Sequence, residues 1–314
     1  MNQAVNSNAV NATAANAAPD FSVPGPKHGA DPKGCLITVV NPKEPLPPSF
    51  QLKATGAKQR VIIRITGGCK GMTKEASAGM IPFFVNGFRN GETEFQGVAI
   101  SGGTANRDDN GVIISDMVTT VPAELAMVMD CVALATTPRT DDLYADRRRA
   151  GLAVGETALD IRGHGCAIVQ IDAATAAGWD ADLPTYFNFM SNLKEADFIP
   201  AIIAMNGGDI TRDEIYEAIN RGFSIIAVEG SLRETDAFIA AFRDGDWSLT
   251  CAEQRAKLVT RGKSEAEIAD IIDPIVAKCK AAVDAMDRSL VSIVPVNDSA
   301  ALSKALVAHG LLPA

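Results

Sequence analysis

The residues best suited to chemistry are glycines that directly follow apolar, β-rich runs. Residues 60–66 precede Gly67 and Gly68, and residues 97–101 precede Gly102, Gly103 and Thr104. Residues 199–206, ending in Asn206, precede Gly207 and Gly208, and residues 224–229 precede Gly230 and Ser231. Each turn is expected to open a helix-like segment. Glycine permits close backbone approach, and the free N–H groups at a helix start point at an anion. Four such turns predict a rim of phosphate-binding loops, and hence a nucleotide-like ligand.

Polar side chains sit close to these turns. Arg233 follows the Gly230-Ser231 turn, where its guanidinium can clamp a phosphate bidentately or pair on the surface with Glu234 or Asp236. Asp236 can cap the following helix or bind a ribose hydroxyl. Thr104 and Ser231 can donate hydroxyl hydrogen bonds to phosphate, or serve as ordinary turn residues. Arg147, Arg148 and Arg149 form a basic triplet that reads first as a solvated patch.

The elements that must position these groups follow from the same pattern. Thr73 is a plausible N-cap for a helix from 74 to about 89, which Pro82 should kink or split. A polar loop, 105–110, should lead into a helix near 112–119. Further strands are read at 131–136 and 166–171, and further helices at 183–195, 213–221 and 234–242. Residues 141–163 read as a charged loop. The stretch 247–286 reads as a helical insertion, with Ser264 and Glu267 at capping-box spacing. A strand at 290–294 and a helix at 299–309 close the chain. Alternating strands and helices predict an α/β fold, a Rossmann-like, doubly wound and mostly parallel sheet with helices on both faces. Ligands in such sheets bind at the carboxyl ends of the strands. Residues 1–34 read as a disordered low-complexity tail, and 35–314 as a single α/β domain.

Composition narrows the partners. A net charge of −9 argues against non-specific nucleic-acid binding. No apolar run approaches the roughly 20 residues that span a bilayer, and no secretory signal is visible, so a cytoplasmic location is expected. The six cysteines form no C-x-x-C pair and read as buried small hydrophobes, with Cys69 the most accessible. His28, His164 and His309 lie far apart, so no metal site and no cofactor are expected.

The ordered turns resemble the SLOG superfamily, in particular its prokaryotic branch related to the N-terminal domains of melastatin-type TRP channels and, more distantly, the lysine-decarboxylase-like LOG proteins. The resemblance covers roughly residues 61–236. It rests on Gly67, Gly68 and Gly71, then Gly102, Gly103 and Thr104 with Asn106 displaced by one residue. Asn206, Gly207 and Gly208 follow, and then Gly230, Ser231, Arg233 and Asp236. It implies that His164 belongs to a strand contacting the ligand. Leu232 stands where the family has a third glycine.

The LOG signature Pro-Gly-Gly-x-Gly-Thr-x-x-Glu is partly kept: Gly207, Gly208, Thr211 and Glu214 match, whereas Asn206 and Ile210 depart from it. In LOG enzymes that glutamate helps cleave the bond between ribose phosphate and base, which would make Glu214 catalytic. An acid in the first turn of a helix is also favoured by the helix dipole, and the loss of two signature positions favours that structural reading of Glu214. The resemblance therefore implies a sensor of a nucleotide-derived small molecule such as ADP-ribose or a related NAD product. A LOG-like phosphoribohydrolase is the alternative, and a self-assembling structural protein a third. A homo-oligomer is expected, with the tail and the helical insertion available for packing between subunits.

Overall fold

The structure, a computed structural model, describes residues 21–24, 34–40, 56–68, 74–102, 104–107, 113–115, 118–138, 158–159, 166–170 and 183–314. The strands are β1 (Phe21–Pro24), β2 (Gly34–Val40), β3 (Val61–Gly67), β4 (Arg89–Asn90), β5 (Thr93–Glu94), β6 (Val98–Ser101) and β7 (Thr104–Arg107). They continue with β8 (Ile113–Ser115), β9 (Val132–Pro138), β10 (Ala158–Leu159), β11 (Cys166–Gln170), β12 (Ile199–Met205), β13 (Ser224–Glu229) and β14 (Val291–Pro295). The helices are α1 (Lys74–Gly87), α2 (Val121–Val128), α3 (Leu183–Glu195) and α4 (Asp209–Asn220). They are followed by α5 (Arg233–Asp244), α6 (Ala252–Thr260), α7 (Glu265–Ala285) and α8 (Ser299–Ala308).

Among the described residues, nine strands form one sheet in the order β1-β2-β11-β9-β6-β3-β12-β13-β14. Every pairing in it is parallel except β1 with β2 at the edge. The central strands are continuous runs of Ile, Val and Ala because both of their faces are covered. Ile62, Ile202 and Ile225 face a core closed by α3, α4, α5 and α7, where Tyr186, Phe187, Ile215 and Phe238 are buried. Ile63, Ile203 and Ile226 face a second core, closed by α1, α2 and α8 through Phe84, Leu125 and Leu302. The fold is thus the expected Rossmann-like α/β arrangement.

Winding direction reverses once. From β3 the chain adds β6, β9 and β11 on one side, whereas β12, β13 and β14 extend the sheet on the other. The carboxyl ends of β3 and β12 therefore flank the topological switch point, where a crevice forms in doubly wound sheets. Gly67 and Met205 are register partners at that point.

Three local expectations are corrected. The described residues of the 112–119 stretch do not form the expected α-helix: they lie in β8 and in a short 3-10 turn at Val118–Thr120. The β-branched pair Ile113-Ile114 favours an extended chain, and β8 pairs antiparallel with β7. Helix α1 runs through Pro82 without being split, its turn held by the buried Met80, Phe83 and Phe84 on either side. Glu214 lies in the second turn of α4, not the first, because that helix begins at Asp209. The expected helical insertion consists of α6 and α7. Ser264 and Glu267 form the reciprocal capping box that their spacing predicts. The edge strand β1 falls within the segment that composition assigns to the tail.

Candidate functional site

The third glycine turn, between β12 and α4, has its conformation dictated by its residues. Asn206 has φ +63° and Gly207 φ +84°, the left-handed region that asparagine and glycine tolerate best. A Cβ on Gly207 would lie 2.0 Å from Thr211 Oγ1. Asn206 Oδ1 accepts from the Gly207 N–H at 2.5 Å and from Arg233 Nη1 at 3.3 Å. Gly208 then stands at the N-cap of α4, which has no side-chain cap. The N–H groups of Asp209 and Ile210 find no acceptor among the described residues.

The fourth turn, between β13 and α5, is joined to the third. The N–H groups of Glu234 and Thr235 donate to the carbonyls of Gly207 and Asn206, both at 3.3 Å, and the Thr235 hydroxyl donates to Asn206 O at 2.6 Å. Ser231 Oγ accepts from the Asn206 N–H at 2.7 Å and donates to Val228 O at 2.6 Å. The carboxylate of Asp236 accepts from the N–H groups of Gly230 at 2.9 Å and Leu232 at 2.8 Å. Ser231 and Asp236 thus hold the turn itself. Leu232 has φ +77° and Arg233 φ +59°, so the site usually reserved for glycine carries a strained leucine.

Arg233 reaches back over the third turn. Its Nη2 would lie 2.7 Å from a Cβ on Gly208, and it pairs there with Glu253 of α6, not with Glu234 or Asp236. Lys257 Nζ stands 3.6 Å from both Asp209 Oδ2 and Glu253 Oε1. Glu234 is buried beside them and accepts from the Cys251 N–H at 3.1 Å. Burial raises its carboxyl to about 7, against the opposing attraction of Arg212. Arg212 donates to Cys251 Sγ and to Gln254 Oε1, both at 3.0 Å.

Beneath the third turn, polar pairs join β3 to α4. Thr66 Oγ1 and Thr211 Oγ1 are 3.3 Å apart. Deeper lies Glu214, whose Oε1 accepts from Arg64 Nη2 at 2.7 Å, from Arg64 Nε at 3.2 Å, and from the Tyr186 hydroxyl. The Arg64 guanidinium stacks 4.1 Å from the Tyr186 ring centroid. The two charged side chains are only 6% and 1% exposed. Glu214 Oε2 has no hydrogen-bond partner among the described residues. Such a carboxylate can compensate a buried guanidinium, but a substrate would have to move α4 or α3 to reach it.

The two remaining turns contribute less that is described. Gly67 has φ +140°, and a Cβ there would lie 1.8 Å from Met205 O, so β3 and β12 approach too closely for any side chain. Gly68 is described, and Gly71 lies outside the described residues. Gly102 is followed by Gly103, also outside them, and then by β7, so Thr104 and Asn106 lie on a strand and not at a helix start. His164, Cys69 and Arg147–Arg149 fall outside the described residues.

Arg64, Tyr186 and Glu253 were not among the expected site residues. Arg64 had a signal, since one charged residue within an Ile-rich central strand demands a buried partner. Glu253 had none, because nothing local links α6 to a turn twenty residues earlier. Among the described residues no cluster of His, Cys, Asp or Glu could hold a metal, and no helix is long and apolar enough to cross a membrane. In comparisons with known proteins, no protein-family model and no curated protein matches this chain.

Proposed function

We propose that this chain binds a phosphorylated nucleotide derivative, ADP-ribose or a related NAD product, in the crevice between the carboxyl ends of β3 and β12, as a SLOG-type sensor. The observation that carries this reading is the third turn: Gly207 and Gly208 open α4 at the topological switch point, with the Arg233 guanidinium resting on Gly208. Backbone N–H groups at a helix start and a planar guanidinium together suit a phosphate. The burial of Glu214 favours binding over hydrolysis, since a side chain 1% exposed and already engaged by Arg64 and Tyr186 is poorly placed to reach an anomeric carbon. In this reading the protein is a cytoplasmic homo-oligomer that responds to its ligand.

Calorimetry against ADP-ribose, NAD and AMP tests it. ADP-ribose should bind, and Arg233→Ala should weaken binding by at least about tenfold, the usual loss for a charged hydrogen bond. Absence of binding by all three ligands overturns the proposal. Release of free base from AMP, lost in Glu214→Ala, would replace it with the hydrolase.

A further inference from the structure

We propose that α6 is a self-blocking strap, in which the Glu253 carboxylate occupies Arg233 and any anionic ligand must displace it. The inference rests on the preceding reading of the crevice and adds its regulation. Among the described residues, Arg233 Nη2 is the atom nearest a Cβ built on Gly208, and it pairs with Glu253 Oε2. That oxygen would itself lie 3.7 Å from a Cβ on Gly208, so an intramolecular carboxylate already stands over the turn. Lys257, one helical turn along the same strap, extends the contact by facing both Glu253 and Asp209.

The attachment of α6 suits a strap. No residue of the helix is fully buried, and its Leu258 packs on the small cluster formed by the N-cap Cys251 with Ile268 and Ile272 of α7. Toward the sheet, the body of α6 is held by polar contacts, Glu253 with Arg233, Lys257 with Asp209, and Gln254 with Arg212, while its buried N-cap Cys251 is anchored to Glu234 and Arg212 and stays in place as the pivot. The Arg233 and Glu253 side chains are 21% and 24% exposed, so the pair is partly shielded yet still reached by water. Residues with left-handed backbone stand at both ends of the helix, Cys251 with φ +64° and Gly262 with φ +74°. The latch can therefore open without dismantling the packing between α6 and α7.

The test compares the wild-type chain with Glu253→Gln, using Glu265→Gln, which loses an exposed pair with Arg255, as the control. Hydrogen exchange reads the latch without ligand, and calorimetry with ADP-ribose reads the competition. In Glu253→Gln the amides of 252–260 should exchange several-fold faster while those of β12 and β13 are unchanged. ADP-ribose should bind about tenfold more tightly than to wild type, the equivalent of one charged hydrogen bond no longer displaced. Glu265→Gln should change neither. Unchanged exchange at 252–260 overturns the strap whatever the ligand does. Faster exchange with equal ADP-ribose affinity in both proteins overturns the competition and leaves the binding reading intact. Faster exchange with no binding to either protein refutes the binding reading, and the self-blocking role with it.

Discussion

Replacing Glu214 by glutamine removes one charge from the deepest ion pair of the described core and keeps the side-chain shape. The carboxylate accepts two hydrogen bonds from Arg64 and one from Tyr186, and both charged side chains are almost fully buried. Removing one member of such a pair leaves the other charge desolvated and typically costs about 3–5 kcal/mol. The amide nitrogen of glutamine also needs an acceptor, either at the Oε2 position, where none is described, or against the donors of Arg64. Glu214→Gln should therefore lose about 3–5 kcal/mol in urea unfolding, with an unchanged denaturant slope. Arg64→Met/Glu214→Leu removes both charges and should recover most of that loss, except that the buried Tyr186 hydroxyl is left without this acceptor, worth about 1–3 kcal/mol. Adding Tyr186→Phe should bring the triple variant to within about 1 kcal/mol of wild type. A single-variant loss below about 1 kcal/mol, or a triple variant as unstable as the single, refutes the reading of Glu214 as a buried counter-ion. A stable Glu214→Gln protein that had lost AMP hydrolysis would instead mark a catalytic carboxylate.

Three further outcomes follow from the turns and from Glu234. Leu232→Gly should stabilise the protein by about 1 kcal/mol, because a residue 47% exposed at φ +77° loses its strain and gives up little packing; no gain in urea midpoint refutes this. Gly67→Ala should destabilise by more than about 2 kcal/mol, since its Cβ would lie 1.8 Å from Met205 O, and a thermal midpoint equal to wild type refutes it. Glu234 binds its proton more tightly folded than unfolded, so its contribution is complete below the unfolded value near 4.5 and is lost as pH rises through about 7. Glu234→Gln should remove up to about 3 kcal/mol of that pH dependence between 4.5 and 7, read as a flatter urea midpoint against pH; an unchanged slope refutes the assignment.

Much of the architecture was legible because period and punctuation agree there. Residues 183–195 read as a helix and form one, and the runs ending at Thr66, Asn206 and Glu229 read as strands because both faces of a central parallel strand must be apolar. The 112–119 stretch failed because two neighbouring isoleucines carry no helical period, and strand pairing decides such a case. Within the site, the glycines announced their turns, but sequence proximity misassigned the partners of Arg233. Glu234 and Asp236 are its chain neighbours, yet one is held at the Cys251 N–H and the other caps the turn, so the guanidinium turns to Glu253. Whether a turn faces a ligand or another turn depends on the spacing of strands, which no local pattern carries.

The bonding between the third and fourth turns has a mechanical consequence. Because Asn206 and Gly207 exchange four hydrogen bonds with Ser231, Glu234 and Thr235 across the ends of β12 and β13, the two loops cannot be displaced separately without breaking that seam. They form one stiff plate on the carboxyl edge of the sheet. Motion in this region is consequently left to α6, and substitutions in either loop should be felt by both, so the two segments are constrained to change together.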